Sequence, residues 1–110
     1  MEQSRVQEAL AALASETRLD LVRLLVACGA AGMAQGDIAR KLEISASRLA
    51  FHLAQLEQAG LVRARRESRH VFYAANAAAI GRVLGFVLHD CCAAHPDASA
   101  CCQKLPAPLP

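Results

Sequence analysis

A mainly helical domain carrying one small β-hairpin, in the order α-α-α-α-β-β-α, is the fold class the sequence predicts. Three observations predict it. Of 110 residues, 55% are hydrophobic, only 4% are aromatic, and tryptophan is absent; an alanine- and leucine-rich chain of this kind favours helices over an all-β sandwich. Apolar residues recur at helical spacing through most of the chain. Two short β-favouring stretches interrupt that spacing once, after residue 60. The length suits one domain.

Each element has its own signal. Val6, Leu10 and Leu13 stand at i, i+4 and i+7 and predict a first amphipathic helix. Ser15 is placed to cap a second helix over 16–28. Its apolar positions Leu19, Leu21, Val22, Leu24, Leu25 and Val26 cover most of its circumference, which predicts a central core helix. Gly29 and Gly32 break it. A short third helix runs from Gln35 to Leu42 with Ile38 and Leu42 inward, and Glu43-Ile44 makes a turn. Ser45 caps a fourth helix to Ala59, which Gly60 ends in a left-handed conformation. Leu61 to Arg66 and His70 to Ala74 are strands around a charged tip, Glu67-Ser68-Arg69. The last helix runs from Ala77 to Cys92 with Ile80, Val83, Leu84, Val87 and Leu88 as its stripe. After Pro96 periodicity is lost, and the proline-rich end from Leu105 reads as an extended tail.

The formal net charge is only +2, but it is unevenly spread. From Arg40 to His70, seven Lys/Arg face three acids, a local +4, and the remainder of the chain carries −2. A local basic segment of this kind fits phosphate contact through one face. Helices three and four with their tight turn form a helix-turn-helix pattern. Leu49, Leu53 and Leu56 give the second helix an apolar back. Gln35, Ser45, Ser47, Arg48, His52 and Gln55 supply groups that hydrogen-bond bases or phosphates. Arg65, Arg66, Arg69 and His70 on the hairpin make a wing for the DNA backbone or minor groove. Phe51 reads as a packing residue, and Arg63 as a solubiliser of a sheet edge.

The residues Ala14-Ser-Glu-Thr-Arg-Leu19, Gly36-Asp-Ile-Ala39, Ile44-Ser-Ala-Ser47 and, above all, Phe51-His-Leu-Ala-Gln-Leu-Glu-Gln-Ala-Gly-Leu-Val62 resemble the ArsR/SmtB family of winged helix-turn-helix repressors over about residues 5 to 92. The resemblance implies a homodimer on inverted-repeat operator DNA, released by a metal or metalloid, with the first and last helices as the interface. Val6, Leu10, Leu13, Ile80, Leu84, Val87 and Leu88 are the surplus apolar positions for that interface. Two-fold symmetry would set the recognition helices about 34 Å apart.

Five cysteines, Cys28, Cys91, Cys92, Cys101 and Cys102, are an odd set for a disulfide framework. Adjacent cysteines are poorly placed to bridge each other, and each pair more naturally offers thiolates to a third party. Cys28 shares a stripe with Leu21 and Leu25 and reads as core. The C-terminal set resembles the arsenic-responsive branch, in which an adjacent pair at the end of the last helix joins a cysteine further along. The gap here ends in a second pair, so either Cys101 or Cys102 completes the site, with spacing favouring Cys101. The Cys-Val-Cys arsenic site is absent, with Gly32 to Gly36 in its place, and His89, Asp90 and His95 lack a partner set at helical spacing. Soft thiolates without an obligatory fourth ligand suit As(III) or Sb(III) as inducer.

The expectation is therefore a DNA-binding and dimerisation domain over 1–92, a flexible tail over 93–110 that completes the metalloid site, and no organic cofactor. The alternative is persulfide, oxidant, Cd or Pb sensing by the same fold. An enzyme is not expected, because the chain has no Gly-rich loop and no nucleophile–base pair. No apolar run reaches the roughly 18 residues of a membrane span. Met1-Glu2-Gln3-Ser4-Arg5 leads straight into the first helix, so a cytoplasmic location without a membrane partner is expected.

Overall fold

The computed structural model describes residues 2–104, without the side chains of 101–104; the proline-rich end expected as an extended tail lies outside the described residues. Four helices come first: α1 Gln3–Leu13, α2 Glu16–Cys28, α3 Gln35–Leu42 and α4 Ala46–Gln58. Ser15 and Ser45 cap α2 and α4 as expected, their hydroxyls accepting the Arg18 and Arg48 N–H groups. Two helix ends use one device. Glu43, at φ 54°, lets the Ile44 N–H reach back to the Ala39 carbonyl, and Gly60, at φ 79°, lets Leu61 reach Leu56.

The hairpin is β2 Val62–Glu67 and β3 His70–Ala75. A two-residue strand that sequence reasoning missed, β1 Met33–Ala34, adds to it antiparallel, giving the order β1-β3-β2 with Ala34 opposite Phe72 and Arg65 opposite Phe72. Arg63 therefore lies on an edge strand. Asn76 joins the sheet to the last helix: its amide donates to the Gly60 carbonyl and its Oδ1 accepts the Ala79 N–H, capping α5 Ala77–Gly85. The expected continuous helix to Cys92 does not form. Beyond Gly85 the chain widens into a π-helical segment, Phe86–Cys91. Ala93 and Ala94 then adopt left-handed conformations, and α6 Pro96–Lys104 starts with proline in its first turn, where a missing N–H costs nothing. Residues 96–104 are thus helical where the sequence reads as aperiodic.

The core consists of Leu21, Leu25, Ile38, Leu49, Leu53, Leu56, Leu61 and Val83, all less than 3% exposed. Burial of such side chains stabilises the domain by about 1.5–3 kcal/mol each. Several expectations are corrected by this packing. Val6 is buried in its own chain's core, so it is not surplus surface; Leu13, Ile80 and Val87 pack half-buried against that core, Leu88 is half-buried, and Leu10 and Leu84 are exposed. Leu19 and Val26 on α2 are half-exposed, so that helix is not buried all round. Cys28 is only partly buried. Phe51 is exposed, its ring meeting His52 edge-on.

Candidate nucleic-acid interface

With Leu49, Leu53 and Leu56 turned into the core, helical geometry sends Ser47, Arg48 and Phe51 outward. The N-terminus of α4 carries the positive end of the helix dipole, which favours a phosphate there. A cleft of about 300 Å³ opens beside it, lined by Gln35 and Gly36 of α3, Ala46 and Leu49 of α4, and Arg69, His70 and Val71 of the hairpin. The fold thus brings Gln35, the start of α4 and the wing tip to one face. Ser45, Ser47, Arg48, Arg66, Arg69 and His70 are all exposed.

Two expected DNA contacts, Gln55 and Arg65, are engaged elsewhere, and a third, His52, is anchored to Arg18. Gln55 lines another cleft, of about 410 Å³, with Glu8, Ala11 and Ala12 of α1. Arg65 is committed to the wing itself: its Nε donates to Glu67 at 2.6 Å, its Nη2 donates to the Ala31 carbonyl at 3.2 Å, and its guanidinium lies 5.0 Å from the Phe72 ring centroid. It acts as a strut from hairpin to the turn before β1, whereas Arg66 and Arg69 have no such ties among the described residues. His52 is held from behind. Arg18 Nη1 lies 3.0 Å from His52 Nδ1. Arg18 Nε also donates to the Ala12 carbonyl at the end of α1.

Sequence reasoning did not find Arg18, although a signal exists. A cation in the first turn of a helix opposes the dipole, so it needs partners elsewhere. Those partners are Ala12 and His52.

His52 holds its proton less readily than an ordinary histidine, because of burial first and then the charges of Arg18 and Arg48. The unfolded chain takes up this proton near the ordinary value of about 6.5, and the folded chain only at lower pH. In that window the unfolded state binds more protons, so this contribution is fully present above about pH 6.5 and is lost as pH falls. Urea midpoints at pH 7.5 and 5.5 are expected to fall further for wild type than for His52→Asn, which keeps an acceptor for Arg18 but does not titrate. Equal falls would show that His52 carries none of the dependence.

At the other end of the chain, Cys91 is exposed and Cys92 half-buried, and both are free thiols. The Cys92 thiol is pushed above its ordinary value, first by a hydrogen bond to Cys91, then by burial and by charge on Cys91. Cys91 also lines a mostly apolar cleft of about 260 Å³ against Val6, Gln7 and Leu10 of α1. Cys101 and Cys102 stand on α6, and their side chains lie outside the described ones. Among the described residues no three His, Cys, Asp or Glu side chains converge as a metal site. His95 Nδ1 accepts the Asp97 N–H at 3.0 Å, and no described helix is long and apolar enough to cross a membrane.

Comparison with known proteins agrees with this architecture. A helix-turn-helix domain family matches residues 13–65. The chain is 39% identical over 64 residues to the transcriptional activator HlyU of Vibrio cholerae, a match covering 58% of this chain; it spans only 56% of that curated relative. It is 30% identical to a homodimeric winged helix-turn-helix DNA-binding domain from Mycobacterium bovis, described as a possible ArsR-family transcriptional regulator, with a TM-score of 0.64 and 79% of this chain and 80% of that one covered. An ArsR-like transcriptional regulator from Rhodococcus sp. RHA1 shares the fold, with a TM-score of 0.72 over 96% of both chains at 24% identity. These relatives are transcriptional regulators, not enzymes.

Proposed function

The chain belongs to the ArsR family of winged helix-turn-helix transcriptional regulators, and from that premise we propose that it is a metalloid-responsive repressor. It binds operator DNA as a homodimer and leaves it when thiolates of Cys91, Cys92 and a cysteine of α6 grip As(III) or Sb(III). The observation that carries this reading is the position of Cys91, an exposed thiol next to Cys92 in the chain and lining a cleft against α1. Leu10 and Leu84 leave apolar surface on α1 and α5 for a second copy. An ion held at Cys91 and Cys92 therefore acts on the junction between the last helix and a dimer helix.

Thiolate sulfur selects soft ions over magnesium or calcium. Binding replaces the thiol protons. Cys101 and Cys102 follow Cys92 closely enough in the chain to supply a third sulfur. Linkage then requires that DNA weaken the metalloid as much as the metalloid weakens DNA, typically by about 1–3 kcal/mol.

Fluorescence anisotropy on a duplex selected by the protein from a random pool tests this. Arsenite is expected to release wild-type protein and to leave a Cys91→Ser/Cys92→Ser variant bound. Release of that variant at the same arsenite concentration overturns the site. Two neighbouring thiols also suit oxidation, so a persulfide or peroxide arm is run in parallel. Release by oxidant and not by arsenite would make the chain a thiol-redox repressor instead.

A further inference from the structure

We propose that Arg18 is a positioning residue for DNA recognition: it bolts α4 to the end of α1 and fixes His52 as the Nε2–H tautomer. The inference rests on the DNA-binding reading above. Arg18 is anchored at three points. Its backbone N–H caps on Ser15, its Nε donates to Ala12, and its Nη1 meets His52 Nδ1 at 3.0 Å. One rigid fork thus spans the C-terminus of α1, the start of α2 and the middle of α4.

The chemistry of the contact leaves one assignment. A guanidinium has donors only and stays protonated in proteins. Nδ1 of His52 must then be the acceptor, so the neutral ring carries its proton on Nε2. That makes Nε2–H the one ring donor on offer to a base edge or a phosphate. The ring is further braced by Phe51, edge-on with centroids 5.4 Å apart. Arg18 is half-buried and spent on these contacts, and so serves DNA through His52 and not as a phosphate ligand.

Two measurements on the full-length protein test the inference. Imidazole nitrogen NMR at pH 7.5 is expected to show wild-type His52 with bare Nδ1 and protonated Nε2, and Arg18→Met with a mixture of tautomers. A wild-type ring protonated on Nδ1 overturns the proposal without any variant. Operator affinity of Arg18→Met is expected to fall about a hundredfold, the worth of one misplaced base-edge contact of about tenfold in each protomer of the homodimer, with an unchanged dependence on salt. Arg18→Lys is expected to behave likewise, because an ammonium keeps the charge but loses the fork. It serves as the second variant should Arg18→Met fail to fold.

A salt slope lowered by about two, one phosphate contact from each protomer of the homodimer, would make Arg18 an ordinary phosphate contact and overturn the positioning role. So would undiminished affinity. If wild-type protein binds no duplex at all, the DNA-binding reading fails, while the tautomer measurement still decides what Arg18 does to His52.

Discussion

Replacing Gly32 with alanine is expected to destabilise the protein by about 4 kcal/mol, a large part of the roughly 5–15 kcal/mol that holds a domain together. Gly32 sits at φ 70°, ψ −159°, a region essentially closed to side chains and costing others about 1–3 kcal/mol. A Cβ there would also overlap the Tyr73 carbonyl oxygen and lie 2.8 Å from its carbon, both backbone atoms of the central strand. Relief requires β1 to part from β3, and overpacking of this kind costs a further 1–3 kcal/mol or so.

Gly29 provides a matched control. Its φ and ψ are 67° and −160°, nearly the same, yet a Cβ there meets nothing within 4 Å. Gly29→Ala is therefore expected to cost only the conformational part, about 1–3 kcal/mol. Urea denaturation of the pair separates strain from collision. Equal midpoints for the two variants would show that β1 yields freely and is not firmly docked.

The contrast between these glycines shows where sequence reading stops. Both appear in the chain simply as helix breakers. Leu49, Leu53 and Leu56, the serine caps at 15 and 45 and the Gly60 stop were legible because local spacing and capping chemistry determine them. β1 was not, since two residues make a strand only when a distant strand pairs with them. Periodicity also identifies an apolar face without saying which chain covers it. Val6 thus looked like dimer surface and is core, whereas Leu10, one turn on, is exposed. The π-helical widening at Phe86 shifts the stripe expected of a regular helix, and Leu84 and Leu88 no longer share one environment.

The candidate interface divides in the same way. That the hairpin is basic is visible in the letters; that Arg65 is spent on Glu67, Ala31 and Phe72 is visible only in three dimensions, because Ala31 lies 34 positions away. Arg18 and His52 are likewise 34 apart. Single-residue roles built on such contacts have no local signature. The thiol cluster remains a sequence-level observation on its α6 side, and Cys91 against α1 is the part to which structure adds a neighbour.

That division of labour among the wing arginines gives the second large effect. Arg66→Ala/Arg69→Ala is expected to weaken operator binding by roughly two orders of magnitude at physiological salt, with little change in stability. Both side chains are exposed, so the fold loses little without them. In a homodimer the pair removes four charges from the complex. Each phosphate contact contributes about 0.9 to the slope of log affinity against log salt, so the slope should fall by about 3 to 4. The loss should be nearly uniform across operator and random sequences, because phosphate contacts position and do not specify. Arg65→Ala supplies the contrast: it frees the hairpin from Ala31 and Phe72, and so should lower stability while changing the slope much less. Anisotropy titrations at several salt concentrations, with urea melts of the same variants, read both quantities. A double variant that keeps the wild-type slope would show that the wing does not touch the DNA backbone, and would leave the start of α4 to hold the duplex alone.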